Sequence, residues 1–200
     1  MQQLETWRPR AASRRIWPAV WFAAFVFIVA AAFRDDGPAV PAVQTPGPAD
    51  PQARAILTAF YHATGGDNYW KTSTGWLSDR PLDQWHGVQI NDAGKVIGLR
   101  LSNNQLTGPI PAELGQLITL EVLWLSHNQL IGPIPAELGQ LQNLKDLSLG
   151  GNVLTGPIPT ELGQLQNLKD LSLWGNRLTA IPAELGQLQN LENLSLGGNA

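Results

Sequence analysis

The sequence predicts an α/β solenoid preceded by a single membrane-spanning helix. Three observations carry this: a phrase Leu-x-x-Leu-x-Leu-x-x-Asn copied five times, an aromatic-rich segment just before the first copy, and an uncharged run near the amino terminus. The asparagines that close the copies are Asn104, Asn128, Asn152, Asn176 and Asn199, at intervals of 24, 24, 24 and 23 residues. A period of this length marks a stack of like supersecondary units, each resting on its neighbours.

Residues 1–15 form a short basic head that carries Arg8, Arg10, Arg14 and Arg15. Ile16 to Phe33 follows, 18 residues without a charge. At about 1.5 Å per residue this crosses most of a ~30 Å hydrocarbon core. Arginines precede the span and Asp35 and Asp36 follow it, so the head is predicted in the cytoplasm and the repeats outside it. The same run, with Ala30-Ala31-Ala32 near its end, also fits a signal peptide whose removal would give a secreted protein. The long head and long span favour the uncleaved anchor. Residues 34–49, rich in proline and alanine, suit a semi-extended linker.

Residues 50–95 are expected to close the amino-terminal end of the stack. Asp50 followed by Pro51 is an N-cap with proline at the first helical position, and Ile56, Leu57, Phe60 and Tyr61 share one helical face. Gly65-Gly66 ends that helix. Trp70, Trp76 and Trp85 supply large rings to cover the first repeat, and Asn91-Asp92-Ala93-Gly94 is a turn leading into Val96.

Residues 96–200 hold the five repeats. In Leu120-Glu121-Val122-Leu123-Trp124-Leu125 the alternation sends Leu123 and Leu125 to one side and Val122, Trp124 and Ser126 to the other, as a short strand requires. Such a strand buries its leucines only against the next copy, about 4.8 Å away in a parallel sheet. The asparagine then turns the chain inward, and its carboxamide offers both donors and an acceptor to backbone groups in the turn. Gly-Pro-Ile-Pro runs extended along the outer side, since each proline holds its own φ and keeps the preceding residue out of the α region. Glu-Leu-Gly-Gln-Leu makes a short helical turn with its leucines inward. Thr179-Ala180-Ile181-Pro182 lacks the Gly-Pro of its neighbours and predicts a local tightening. The sequence stops at Ala200, so the fifth repeat is expected to be incomplete and weakly held at Leu191, Leu194 and Leu196.

The phrase Leu-x-x-Leu-x-Leu-x-x-Asn-x-Leu-x-Gly-x-Ile-Pro-x-x-Leu-Gly-x-Leu resembles the leucine-rich repeat, in its 24-residue plant receptor-like class, over about half of the chain. Trp85-His86-Gly87-Val88 is similar to the end of the cap in that class. Many such caps hold a cysteine pair; this chain has no cysteine, and Ile90 stands near one expected position, so packing alone must hold the cap. The resemblance implies a right-handed, curved stack with its parallel sheet on the concave face, used to bind proteins, peptides or glycans.

Several function classes are excluded. Residues 37–200 carry 8 basic against 13 acidic side chains, the wrong balance for nucleic acid. Ser148, Ser172 and Ser195 recur beside Asp146, Asp170 and His127, but a copied phrase makes a ladder and not a unique catalytic site, so no enzyme is predicted. His62, His86 and His127 have no metal-ligand spacing, His86 suits packing in the cap, and no cofactor motif is present. Gly65-Gly66-Asp67 lacks the lysine of a phosphate loop. The sequon at Asn193 falls in a strand. The candidate ligand surface is the outward set Arg100, Val122, Trp124, Ser126, Asp146, Ser148, Asp170, Ser172 and Trp174, with Trp124 and Trp174 as exposed aromatic anchors.

Overall fold

The computed structural model describes residues 50–200; the predicted head, span and linker lie outside the described residues. Among the described residues no helix is long and apolar enough to cross a membrane.

Helix α1 spans Pro51–Ala63. Asp50 Oδ1 accepts the Ala53 N–H at 3.0 Å, answering one of the donors a helix start leaves open. The helix stops at Thr64, after which Gly65 takes φ +76°, a left-handed value that glycine adopts without a Cβ penalty. Ile56, Leu57, Phe60 and Tyr61 are buried. They meet a stack of rings: Trp70 and Trp76 lie 4.7 Å apart by centroid, Trp76 and Trp85 5.1 Å. Trp85 is the most enclosed, at 1% exposure.

Strand β1, Val88–Ile90, pairs antiparallel with β2, Val96–Arg100. The Asn91–Gly94 turn thus closes a hairpin, and the first repeat receives an antiparallel neighbour that sequence alone did not predict. Lys95, on the far side of this turn, lies 2.8 Å from Asp50 and ties the hairpin to the start of α1.

Each of the first four repeats contributes one inner and one outer strand, and the fifth an inner strand. In chain order they are β3 (Thr107–Pro109), β4 (Val122–Trp124), β5 (Gln129–Gly132), β6 (Asp146–Ser148), β7 (Val153–Gly156), β8 (Asp170–Ser172), β9 (Arg177–Leu178) and β10 (Asn193–Ser195). The first sheet runs β1-β2-β4-β6-β8-β10, parallel from β2 onward; a second runs β3-β5-β7-β9. That second sheet corrects the expectation of a merely extended outer stretch. Proline ends β3 and directly follows β5 and β7, and the glycine before each of these prolines, Gly108, Gly132 and Gly156, takes a positive φ of +72°, +78° and +81°, yet the stretch around it still pairs with its neighbours. β9 has only two residues, and Ile181 beyond it is 64% exposed, at the site of the missing Gly-Pro.

Between the sheets and the 3-10 turns Ala112–Gln116, Ala136–Gln140, Thr160–Gln164 and Ala183–Gln187 lies one leucine core. Leu123, Leu125, Leu147 and Leu149 are fully enclosed, each contributing about 1.5–3 kcal/mol. Leu194, the counterpart of Leu147 in β10, is 50% exposed.

The asparagines lie along the inner turns. Asn152 accepts the Leu130 N–H at 3.1 Å and donates to the carbonyls of Leu125 (3.0 Å) and Leu149 (2.9 Å). Asn128, Asn176 and Asn199 make the corresponding bonds within their own repeat and to the preceding one. Asn104 instead reaches the cap, accepting from Thr72 N at 2.7 Å and donating to Thr72 O at 2.9 Å.

Candidate functional site

Strand alternation leaves one face of the first sheet open. Leu99, Leu123, Leu147 and Leu171 point inward and are buried, while Arg100, Val122, Trp124, Ser126, Asp146, Ser148, Asp170 and Ser172 are half-buried and Trp174 is 38% exposed. Parallel register sorts the outward residues into columns: Val122, Asp146 and Asp170 in one, Arg100, Trp124, Ser148 and Ser172 in the next.

Trp124 is not the bare indole that the sequence predicts. The Arg100 guanidinium carbon lies 4.0 Å from its ring centroid, and Arg100 Nε donates to Gln89 Oε1 at 2.9 Å. Gln89 comes from β1, opposite Gly98, where a Cβ would lie 2.6 Å from Gln89 Oε1. The cap therefore fixes an arginine over a tryptophan, a contact of about 0.5–1 kcal/mol at an exposed site. Sequence reading missed Gln89; the only signal for it was a glycine at the facing position.

Trp174 packs differently. A Cβ added to Gly150 would lie 2.5–3.0 Å from three atoms of its pyrrole ring, and one on Gly151 would lie 3.5 Å from Cη2. The indole thus lies along the Gly150-Gly151 backbone of the preceding repeat and meets His127 edge-on, centroids 5.2 Å apart. His127 holds φ +54°, a left-handed value that the equivalent turns fill with Asn103 (φ +55°), Gly151, Gly175 and Gly198. A side chain there costs about 1–2 kcal/mol. Three departures from the copied phrase, His127, Trp124 and Trp174, therefore fall on one face.

Asp146 and Asp170 stand directly opposite one another in adjacent strands, in the column next to that of Trp124 and away from Trp174. Burial pushes the Asp146 carboxyl above the usual carboxylate range; the Asp170 charge adds to this, while the Trp124 indole N–H and Arg100 oppose it. Asp170 accepts a hydrogen bond from the Asn193 carboxamide, the sequon asparagine. Lys145 and Lys169, one residue upstream of each aspartate, are engaged elsewhere: they pair with Glu121 at 2.7 Å and Glu192 at 2.8 Å. Among the described residues, neither Asp146 nor Asp170 joins an ion pair.

The remaining sequence candidates are dispersed. Ser126 Oγ lies 2.9 Å from Ser102 Oγ, each the other's hydrogen-bond partner. His62 faces Asp67 at 3.4 Å in the cap, and His86 is exposed, against the expectation that it packs. What packs at that position is the backbone: the His86 carbonyl accepts the Trp76 indole N–H at 2.9 Å. Among the described residues no group of three or more His, Cys, Asp or Glu side chains is placed to hold a metal ion.

Residues 81–199 match the family model described as a leucine-rich repeat region. The chain belongs to the leucine-rich repeat family. A probable leucine-rich repeat receptor-like serine/threonine-protein kinase of Arabidopsis thaliana is 49% identical over 39 residues, and the chain spans only 5% of that protein's length. Among solved structures, a BIR3–SERK2 complex from Arabidopsis thaliana matches with TM-score 0.63 and 33% identity, over 72% of this chain and 80% of that one. A plant ice-binding protein matches with TM-score 0.70 and 32% identity, over 76% of this chain and 49% of its own. The plant peptide hormone receptor RGFR1, in complex with RGF2, matches with TM-score 0.53 and 41% identity, over 57% of this chain and 22% of its own. Leucine-rich repeat ectodomains of plant receptors are thus similar to this chain in both sequence and fold.

Proposed function

We propose that this leucine-rich repeat domain is a non-catalytic recognition module whose ligand, a protein or peptide, lies across the open face of β2, β4, β6 and β8. The observation that carries the reading is Trp174, a large apolar ring with an indole donor, seated on glycine backbone and 38% exposed on a sheet whose other outward residues, Val122 and the Arg100-covered Trp124 apart, are small or polar. Buried aromatic anchors of this kind carry most of the energy of many interfaces. Support comes from the solved relatives, two of which are complexes with a protein or peptide partner. Replacing Trp174 or Trp124 by alanine should each weaken binding by about 2 kcal/mol, while Gln116→Ala and Gln164→Ala, on exposed 3-10 turns, should leave it intact. A partner captured by the full chain, measured against these four variants, tests the reading. Affinity that ignores both tryptophans but responds to cap residues such as Trp70 would place recognition on the cap; a face that captures nothing would make the repeats a spacer.

The module is further proposed to stand outside the cytoplasm, tethered through residues 16–33. The arginines before that uncharged run and the aspartates after it support this orientation. Protease added to intact cells should digest the repeats and spare a tag at Met1. Protection of the repeats overturns the orientation, and release of soluble protein beginning near Phe33 makes the run a cleaved signal.

A further inference from the structure

We infer that His127 is a positioning residue of the recognition face: its ring fixes the pose in which Trp174 presents its indole to the ligand. This rests on the recognition reading above and deepens it.

The inference starts from the backbone of the inner turns. Asn103, His127, Gly151, Gly175 and Gly198 hold the same place in successive repeats, and all take a positive φ, between +54° and +69°. Glycine adopts that conformation freely and asparagine tolerates it, whereas a bulkier side chain is strained there. The turn itself therefore gains nothing from histidine. Nor does the side chain hold the stack: it is exposed and outside the leucine core, and the carboxamide bonds of its turn are made by Asn128. What it meets is Trp174, edge-on, with 5.2 Å between centroids and 68° between planes.

The indole reaches His127 by lying across the third repeat. The place of Trp174 is filled in the other repeats by Ser102, Ser126, Gly150 and Gly197. A Cβ on Gly150 would lie 2.5 Å from Trp174 Nε1, and one on Gly151 would lie 3.3 Å from His127 Nδ1. Glycine at both places is what lets the two rings close over the turn. Trp174, Gly150, Gly151 and His127 thus form one packing unit across three repeats, outside both the leucine core and the asparagine column. A strained residue kept where the fold does not need it is the mark of a functional surface. Its use here is to hold an exposed indole in one pose, so that a ligand closing on it orders less.

The test follows pose, stability and binding separately. His127→Gly and His127→Asn remove the ring and leave residues that the equivalent turns already hold. In the full chain labelled with 5-fluorotryptophan, the Trp174 fluorine signal is identified by its loss in Trp174→Phe. Peptides retained on the full chain from a random dodecapeptide library are the binding probe. In both variants the Trp174 signal should shift and peptide affinity should fall about three- to tenfold, while the urea midpoint holds or, with glycine, rises. His127→Phe, which restores a ring, should return signal and affinity toward those of the unsubstituted chain. An unchanged signal and affinity in both variants, with Trp174→Ala still weakening binding, overturns the positioning role and leaves the recognition face standing. An affinity that falls only where the urea midpoint falls makes His127 a structural residue and overturns it in the same way. Retained peptides that ignore Trp174→Ala, or no retention at all, overturn the recognition reading and this inference with it.

Discussion

The cap and the repeats solve the same packing problem by opposite means. Repeats 96–200 are held mainly by copies: the same leucine, the same asparagine bond and the same 3-10 turn recur, so most core contacts are made several times over. The cap is held by single contacts, among them the Asp50 bond to Ala53, the Lys95 pair with Asp50 and the Arg54 guanidinium that donates to the carbonyls of Ser78 and Arg80 at 2.7 Å each. Its core is a cluster of rings and not a column of leucines. The difference teaches where to look for function. In the cap every residue is a special case, so an unusual residue says little. In the repeats a departure from the copy stands out, and His127, Trp124 and Trp174 depart on the same face.

The sharpest break of the comparison is the removal of the cap's most enclosed tryptophan. Trp85→Ala, at 1% exposure, should cost about 3–5 kcal/mol in urea unfolding, as large aromatic truncations in cores do. A loss below about 1 kcal/mol would show that the cap contributes little to the stack.

Next comes the asparagine column. Asn152→Ala removes the carboxamide acceptor of the Leu130 N–H, while the Leu125 and Leu149 carbonyls keep Asn128 and Asn176 as donors; the loss should be about 1–3 kcal/mol, whereas Asn68→Ala in an exposed cap turn should cost much less. Equal losses would mean that the column does not hold the turns. Copying also predicts that Asn128→Ala and Asn176→Ala behave like Asn152→Ala.

Trp174→Ala should separate binding from folding. Its ring packs on Gly150 and His127 outside the leucine core, so unfolding should shift by less than about 1 kcal/mol while binding falls by about 2 kcal/mol. A stability loss as large as that of Trp85→Ala would make it a structural ring.

The smallest effect concerns pH. The Ala53 N–H and then Lys95 hold the Asp50 carboxyl below its ordinary value of 3.8. A lowered folded-state pKa means that the stabilisation is present above that value and is lost as the pH falls through the lower, folded one. Asp50→Asn keeps the N-cap and loses the charge, so it should lower stability slightly near neutral pH and flatten the acid limb. The Asp146 shift has the opposite sign: its carboxylate is disfavoured in the fold, so stability from this group rises as the pH falls toward the raised pKa. Asp146→Asn should remove that rise.

Much of this was legible from residue order. Period and alternation put Leu123 and Leu125 inward and Trp124 outward because a strand has only two faces and a stacked repeat must bury one of them. The same rule gave the columns on the open sheet. It did not give the second sheet, because the prolines that mark the outer stretch conceal the pairing capacity of the residues before them. Nor did it give a further set of bonds between repeats, in which Asn143, Asn167 and Asn190 donate to the carbonyls of Ile118, Gln142 and Gln166 at 2.7–2.8 Å.

The sequence by itself determined the family, the register of the repeats and the side of the sheet each residue faces, since all three follow from spacing along one chain. Only the tertiary structure decided what those outward residues meet. Gln89 and Arg100 are 11 residues apart, Arg100 and Trp124 are 24, and His127 and Trp174 belong to different repeats. Spacing cannot show that Arg100 covers Trp124, that Trp174 leans back over a glycine pair, or that two aspartates remain without an ion pair. Those contacts depend on the direction in which each side chain leaves the sheet, and that direction is set by the neighbouring repeats.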